Sequence, residues 1–197
     1  MREMVKMVII LTALSTLSGG LLAALKSRTQ ERIDSQVLEF VKGPAIRTIL
    51  NKVSNDPIAD RFTIKKGDIK ETFFVGKVDG KPSLLAFEAS GTGFGGPVGM
   101  MVGINVDTGK IIGTEVTTHN ETPGVGANVE NDTAFVGQFA GLPVNSKETV
   151  TKDGGKITAM SGATITSRAV CAAVTRAGEI YEKMKPEIEE KLKSFSG

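Results

Sequence analysis

The pattern of apolar and polar positions changes three times along the chain. Residues Met7 to Leu25 carry no charge, with Arg2, Glu3 and Lys6 before them and Lys26 and Arg28 after. A helix of that length reaches about 28 Å, close to the roughly 30 Å hydrocarbon layer of a bilayer. The run is longer than the apolar stretch of a cleaved signal peptide, and Leu22-Ala23-Ala24-Leu25 makes a poor small-x-small cleavage site. It reads as an uncleaved anchor over residues 1–28, crossing the membrane once, with residues 29–197 as a linking helix and one domain. Ser15/Gly19 and Gly20/Ala24 are small pairs four apart, which either pack against other membrane helices or are merely tolerated. Basic residues flank both ends, so charge alone does not orient the span.

Beyond the anchor the period becomes helical. Ile33, Val37, Leu38 and Val41 form one stripe within a helix expected over Thr29–Leu50, broken or bent at Gly43-Pro44. Asn55-Asp56-Pro57 marks a loop. The period then becomes two. Thr72–Val78 and Ser83–Glu88 flank an Asp79-Gly80 turn, and Gly99–Val106 and Lys110–Thr118 flank Asp107-Thr108-Gly109, predicting two hairpins. Val102, Ile104 and Val106 alternate with smaller or polar residues, as do Ile112, Thr114 and Val116, which predicts antiparallel strands with one buried face. His119 to Gly126 reads as a loop, Asp132–Ala140 as a short helix, Gly141–Gly155 as turn-rich and Lys156–Met160 as a last short strand. A final helix opens at Thr164 or Thr166 and runs to about Lys185, where Pro186 interrupts it. Val170, Val174, Ala177 and Tyr181 form its apolar stripe, with Ala169 and Ala173 beside them. The expected class is α+β: an N-terminal transmembrane helix, then one domain with a twisted, mainly antiparallel sheet and flanking helices.

Composition narrows the chemistry. With 40% apolar and 23% charged residues the chain is neither disordered nor a coiled coil. A net charge of +2 gives no reason to expect nucleic-acid binding, and with no Trp and one Tyr an aromatic platform for bases is missing as well. A single cysteine, Cys171, excludes an internal disulfide, a Cys–Cys metal site and an iron–sulfur cluster, and reads as a small buried hydrophobe. A single histidine, His119, excludes any site that needs two. The chain must borrow its chemistry from an organic cofactor or a partner.

Two motifs compete for that cofactor. Gly91-Thr92-Gly93-Phe94-Gly95-Gly96 matches G-x-G-x-x-G, but a dinucleotide-binding turn needs a helix next, and here Pro97 and a β-patterned segment follow. It reads instead as a Gly-rich link between strands whose backbone approaches a neighbour or a ligand. Ser161-Gly162-Ala163-Thr164-Ile165-Thr166-Ser167 places four hydroxyls at the start of the last helix. Such residues cap helices. They also suit a phosphate, because free N–H groups and the positive helix end attract an anion and Gly162 and Ala163 leave it room.

Ser161-Gly162-Ala163-Thr164 before a helix, preceded by His119-x-Glu121-Thr122-Pro123-Gly124-x-Gly126, resembles the flavin-binding domain of the G subunit of the Rnf electron-transport complex. The C subunit of the sodium-pumping NADH:quinone oxidoreductase is the close cousin. The resemblance covers nearly the whole chain, including Phe135-x-x-Gln138-Phe139-x-Gly141 and Gly154-Gly155-Lys156-Ile157. It implies an FMN joined through its phosphate to a threonine hydroxyl as a phosphoester, installed from FAD by a separate flavin transferase. The position that matches is Thr164, with Thr166 the nearest competitor. One departure stands three residues before Ser161, where the family often has Asp and this chain has Thr158, which puts the efficiency of attachment in doubt; Asp153 is no obvious substitute.

The resemblance also implies the contacts. Ser161 and Thr166 hydroxyls would stabilise the phosphodiester, and the His119–Gly126 loop, with Val125 in it, would pack on the isoalloxazine ring. Pro123 with Gly124 and Gly126 makes a stiff turn. Glu121 and Thr122 are the expected polar contacts; Lys156 either approaches the flavin carbonyls or phosphate or is a solvated strand-start lysine; His119 is either structural or touches the flavin. The implied setting is the inner cell membrane, with the domain on the extracytoplasmic side. The partners would be the other subunits of the complex, some of them membrane-spanning, in electron flow between ferredoxin and NAD that drives Na+ or H+ translocation. Two other readings remain open at this level: a stand-alone anchored flavoprotein, and a cofactor-free binding domain in which the hydroxyl motif is only a cap.

Overall fold

The computed structural model of the chain describes residues 1–67 and 69–195, which form two units, Met1–Phe40 and the chain from Val41 onward. The first unit is built on α1 (Arg2–Gln36). Its large apolar side chains from Met7 to Leu25 are all exposed, and an 18-residue window has a mean hydropathy of 2.1 with none of it buried. Among the described residues it is the one helix long and apolar enough to cross a membrane. Thr16 and Thr29 donate their hydroxyls to the carbonyls of Thr12 and Leu25, four residues back, at 2.8 and 3.0 Å, so neither side chain needs water.

A π-helical turn, Val37–Lys42, follows α1, and the second unit begins at its end, with α2 (Gly43–Ile49) next. Gly43-Pro44 lies where the regular helix resumes after the π-helical turn, with Pro44 in the first turn of α2. Five strands follow in a simple meander, β1 (Arg61–Lys66), β2 (Ile69–Val78), β3 (Lys81–Thr92), β4 (Pro97–Asn105) and β5 (Lys110–Thr118), each antiparallel to its neighbour. Both expected hairpins are present, and Asp79 and Gly80 turn the first with φ of 51° and 78°. β1 is additional. Its Phe62 stacks on Phe73 of β2 at 5.4 Å, and Phe73 meets Phe87 of β3 at 4.9 Å.

The sheet corrects one expectation: β3 and β4 are buried on both faces, not one. Phe73, Val75, Leu85, Phe87, Val102 and Ile104 join the core beneath the last helix. The alternate positions Phe74, Leu84, Ala86 and Met101 are buried outside that cluster, on the face that α2 covers with Ala45, Ile46 and Leu50. The antiparallel, helix-flanked α+β architecture is otherwise as expected.

Three short helical segments lie between β5 and the last helix. α3 (Thr133–Gly137) is shorter than expected and capped by Asp132, which accepts from Phe135 N at 2.9 Å. Lys156–Met160 is not a strand. Ile157 makes a single parallel bridge to Val150, and Gln138 holds Thr158 from both sides: its Oε1 accepts the Thr158 N–H at 2.7 Å and its Nε2 donates to the Thr158 carbonyl at 3.1 Å.

The last helix, α4 (Thr164–Lys193), runs straight through Pro186. Met184, Ile188 and Leu192 extend the buried stripe past the proline, so packing outweighs the lost hydrogen bond. Lys66 of β1 braces that stretch, donating to Lys183 O at 2.8 Å and pairing with Glu187 at 2.6 Å. Val170, Val174, Ala177 and Tyr181 are buried as expected, with Ala169 and Ala173. The helix lies directly on the strand backbone: a Cβ at Gly91 would stand 2.0 Å from Ala169 O.

Candidate functional site

The start of α4 is where the hydroxyl motif sorts itself by helical register. Residue 163 is the N-cap, and no side chain caps the helix, so the simple capping role is not realised. Ser167 works inside the turn instead, donating to Ala163 O at 2.9 Å and accepting Met160 N at 3.0 Å. Thr166 lies one turn before Ala169 and Val170, on the buried stripe; it is 2% exposed and donates to Glu121 Oε2. Thr164 lies one turn before the exposed Arg168. Its half-buried hydroxyl accepts from Lys152 Nζ at 3.4 Å. Two threonines two residues apart are thus in opposite states, one sealed and one accessible.

Glu121 joins three distant segments. Its carboxylate, 5% exposed, accepts the Thr166 hydroxyl through Oε2 and the Gly95 N–H through Oε1 at 2.9 Å. The first contact ties the His119–Gly126 loop to α4, and the second ties it to the β3–β4 turn. His119 holds the same loop from the other side: Nδ1 accepts Glu121 N at 3.3 Å, and Nε2 stands 3.5 Å from Glu130 Oε2.

These segments enclose a cavity of about 400 Å³. Of the residues expected at the site it gathers Glu121, Thr122, Val125 and Gly126 from the loop, and Gly162, Ala163, Thr164 and Thr166 from the start of α4. It does not gather Ser161, His119, Pro123, Gly124 or Lys156; Ser161 and Lys156 are exposed. Sequence reasoning missed Phe94, Lys152 and Ile165, which complete the lining. Lys152, rather than Lys156, brings the positive charge, because Gly154 with φ of 83° reverses the chain between them. A larger groove of about 680 Å³ along the outer side of α4 holds none of the expected residues.

The turn that carries Lys152, Thr151–Asp153, is clamped to α4 by a two-point ion pair, Arg168 Nε and Nη2 to Asp153 at 2.7 and 2.8 Å. The guanidinium hydrogen bond holds the Asp153 carboxyl below the usual carboxylate value. The pair's contribution is therefore fully present above the ordinary carboxylate pKa and is lost as the pH falls through the lower folded-state value. An NMR titration of Asp153 is expected to show a depressed midpoint that returns to the ordinary range in Arg168→Met. Cys171, 3% exposed, is the small buried residue expected; burial, and then Glu148, push its thiol up to about 12.

The cavity has the donor set that a flavin mononucleotide needs. A free helix N-terminus, a lysine and an accessible hydroxyl stand together, beside the apolar side chains of Phe94, Val125 and Ile165. Comparison with known proteins agrees in two steps. Residues 93–179 match the family model of the FMN-binding domain. The fold is that of the C subunit of the Na(+)-translocating NADH-quinone reductase from Parabacteroides distasonis, with a TM-score of 0.57 and 21% identity over 78% of this chain and 94% of that one.

Longer similarities are more particular. The chain is 32% identical to the G subunit of the ion-translocating oxidoreductase complex of Escherichia coli over 86% of each chain. It is 31% identical to that of Methanosarcina acetivorans over 88% of this chain and 92% of the relative. The chain belongs to the family formed by the G subunits of ion-translocating oxidoreductase complexes.

Proposed function

We propose that this chain is a membrane-anchored flavoprotein subunit of an Rnf-type, ion-translocating electron-transport complex, with FMN bound through a phosphoester to Thr164. α1 would be its single anchor, with the domain on the extracytoplasmic side. The complex would couple electron flow between ferredoxin and NAD to Na+ or H+ translocation, and this chain would turn over no substrate alone. The observation that carries the reading is the contrast between the two threonines: Thr164 offers its hydroxyl to the cavity, and Thr166 is sealed against Glu121.

FMN, when bound, supplies the electron exchange. The chain supplies attachment and position. A flavin transferase would move the FMN moiety of FAD onto Thr164 Oγ1; one Thr–O–P bond forms, the pyrophosphate P–O bond breaks, and AMP and a proton leave. Lys152 and the uncapped N–H groups of the first turn of α4 would hold the phosphate charge. Glu121 would keep Thr166 out of competition and hold the loop and the β3–β4 turn against the helix. A covalent link keeps the cofactor at high local concentration through every change of its redox state.

Co-expression with a flavin transferase, denaturation and in-gel flavin fluorescence test the reading. The wild-type band is expected to fluoresce. Lys152→Gln removes one charge-assisted hydrogen bond worth about 1.5–3 kcal/mol. Initial labelling should therefore slow by roughly tenfold or more. A folded wild-type chain that stays dark in the presence of an active transferase would overturn covalent attachment.

A further inference from the structure

We propose that Phe94, on the turn between β3 and β4, is a positioning residue that covers the isoalloxazine ring of the FMN, an inference that rests on the reading above. Among the described residues of the unit from Val41 onward, the large apolar side chains that stay exposed beyond the π-helical turn are Phe94 (72%), Ile165 (48%) and Val125 (44%). They come from three separate segments, and all three line the same cavity. Isolated exposed hydrophobes are ordinary, whereas three converging on one cavity mark a binding surface. Lys152 and the Thr164 hydroxyl lie in that cavity too, 3.4 Å apart. The lining thus offers a cation and hydroxyl for a phosphate together with an unfilled apolar wall for a ring.

The turn is held while its side chain is not packed. Gly93 N donates to Gly96 O at 2.7 Å, and Gly95 N donates to the buried Glu121 at 2.9 Å. Gly95 lies so close to the neighbouring loop that a Cβ there would stand 1.8 Å from Asn120 O. These contacts fix the backbone on either side of Phe94 without giving its ring an aromatic partner among the described residues. A flat aromatic surface is the counterpart such a ring lacks, because offset or edge contacts satisfy both π-systems. Phe94 sits 70 residues before Thr164 and is brought to it by the Glu121 contacts.

The chain has no Trp, and its one Tyr, Tyr181, is 1% exposed in the core, so an indole placed at position 94 reports on the flavin without interference. The test uses the full chain carrying covalent FMN, with the bound mass measured in every variant. Indole stacked on a flavin quenches its emission by electron transfer, so Phe94→Trp should lower emission severalfold per mole of bound FMN. Phe195→Trp, placed against Phe62 outside the cavity, should leave it unchanged. Per mole of bound FMN, Phe94→Ala should raise quenching by iodide severalfold as the ring face opens to water. Unchanged emission in Phe94→Trp and unchanged iodide quenching in Phe94→Ala, with full FMN mass, would overturn the proposal and assign Phe94 to a protein partner. Absence of FMN mass in the wild type would overturn the underlying reading instead. Phe94 is solvent-facing and outside the core, so neither substitution threatens folding.

Discussion

Thr164→Val is expected to abolish covalent FMN completely while leaving the domain folded. Valine keeps the branched shape and removes the oxygen, so no phosphoester can form at that position. The residue is half-buried at the first position of α4, and among the described residues its hydroxyl accepts only from Lys152, itself exposed, so the fold loses little. Thr166→Val is expected to do the reverse. It keeps Thr164 and therefore the FMN, but strips the buried Glu121 Oε2 of its hydroxyl donor. An unpartnered buried acceptor costs about 1–3 kcal/mol, so this variant should unfold at lower temperature with its flavin still attached. Intact mass and thermal melting of the two variants, side by side, read both effects. Loss of FMN in Thr166→Val with retention in Thr164→Val would move the attachment by two residues.

Gly91→Ala is expected to be the most destabilising single methyl in the domain's sheet. Its Cβ would stand 2.0 Å from Ala169 O and 2.9 Å from the Ala169 carbonyl carbon, both backbone atoms that no rotamer change can move. Relief requires α4 to lift from β3, against the burial of Ala169, Val170 and Ala173. Overpacking of this kind costs about 1–3 kcal/mol and occasionally more. In a domain of this size that lowers the melting temperature by roughly 2–4 °C per kcal/mol. Ala169 is little more than one turn from Thr164, so the displacement also reaches the site, and the variant should take up FMN more slowly than the wild type. A melting temperature equal to that of the wild type would show that the helix is not seated on the strand backbone.

The sheet was legible where turn chemistry and alternation agreed. Asp79-Gly80 and Asp107-Thr108-Gly109 announced two hairpins, and the structure contains both. β1 escaped notice because its two buried residues, Phe62 and Ile64, sit among charged ones in a six-residue stretch. Double-sided burial was masked because the second face of the sheet is built from Ala86 and Gly103 as well as larger residues, so the alternation with small residues looked like alternation with polar ones. Pro186 predicted an end to α4, and tertiary packing of Ile188 and Leu192 overrode it.

At the site, the sequence held a partial contrast between Thr164 and Thr166. Spacing of three and four places Thr166 in line with Ala169, Val170 and Ala173, all buried, and Thr164 at the edge of that stripe, in line with the buried Ser167 and Cys171 as well as the exposed Arg168 and Ala172. Phe94 and Lys152 were not legible in the same way. Their approach to Thr164 depends on the meander's third turn and on the reversal at Gly154, both non-local, and a lone Phe among glycines was the sole hint.

The most direct test is a tryptic map of the full-length protein purified from its native cells. Cleavage after Lys156 and Arg168 releases Ile157–Arg168, which carries Ser161, Thr164 and Thr166 together. The expected peptide is heavier by one FMN less one water, with fragmentation placing the addition on Thr164. An unmodified peptide, or an addition placed on Thr166 or Ser161, would contradict the central claim.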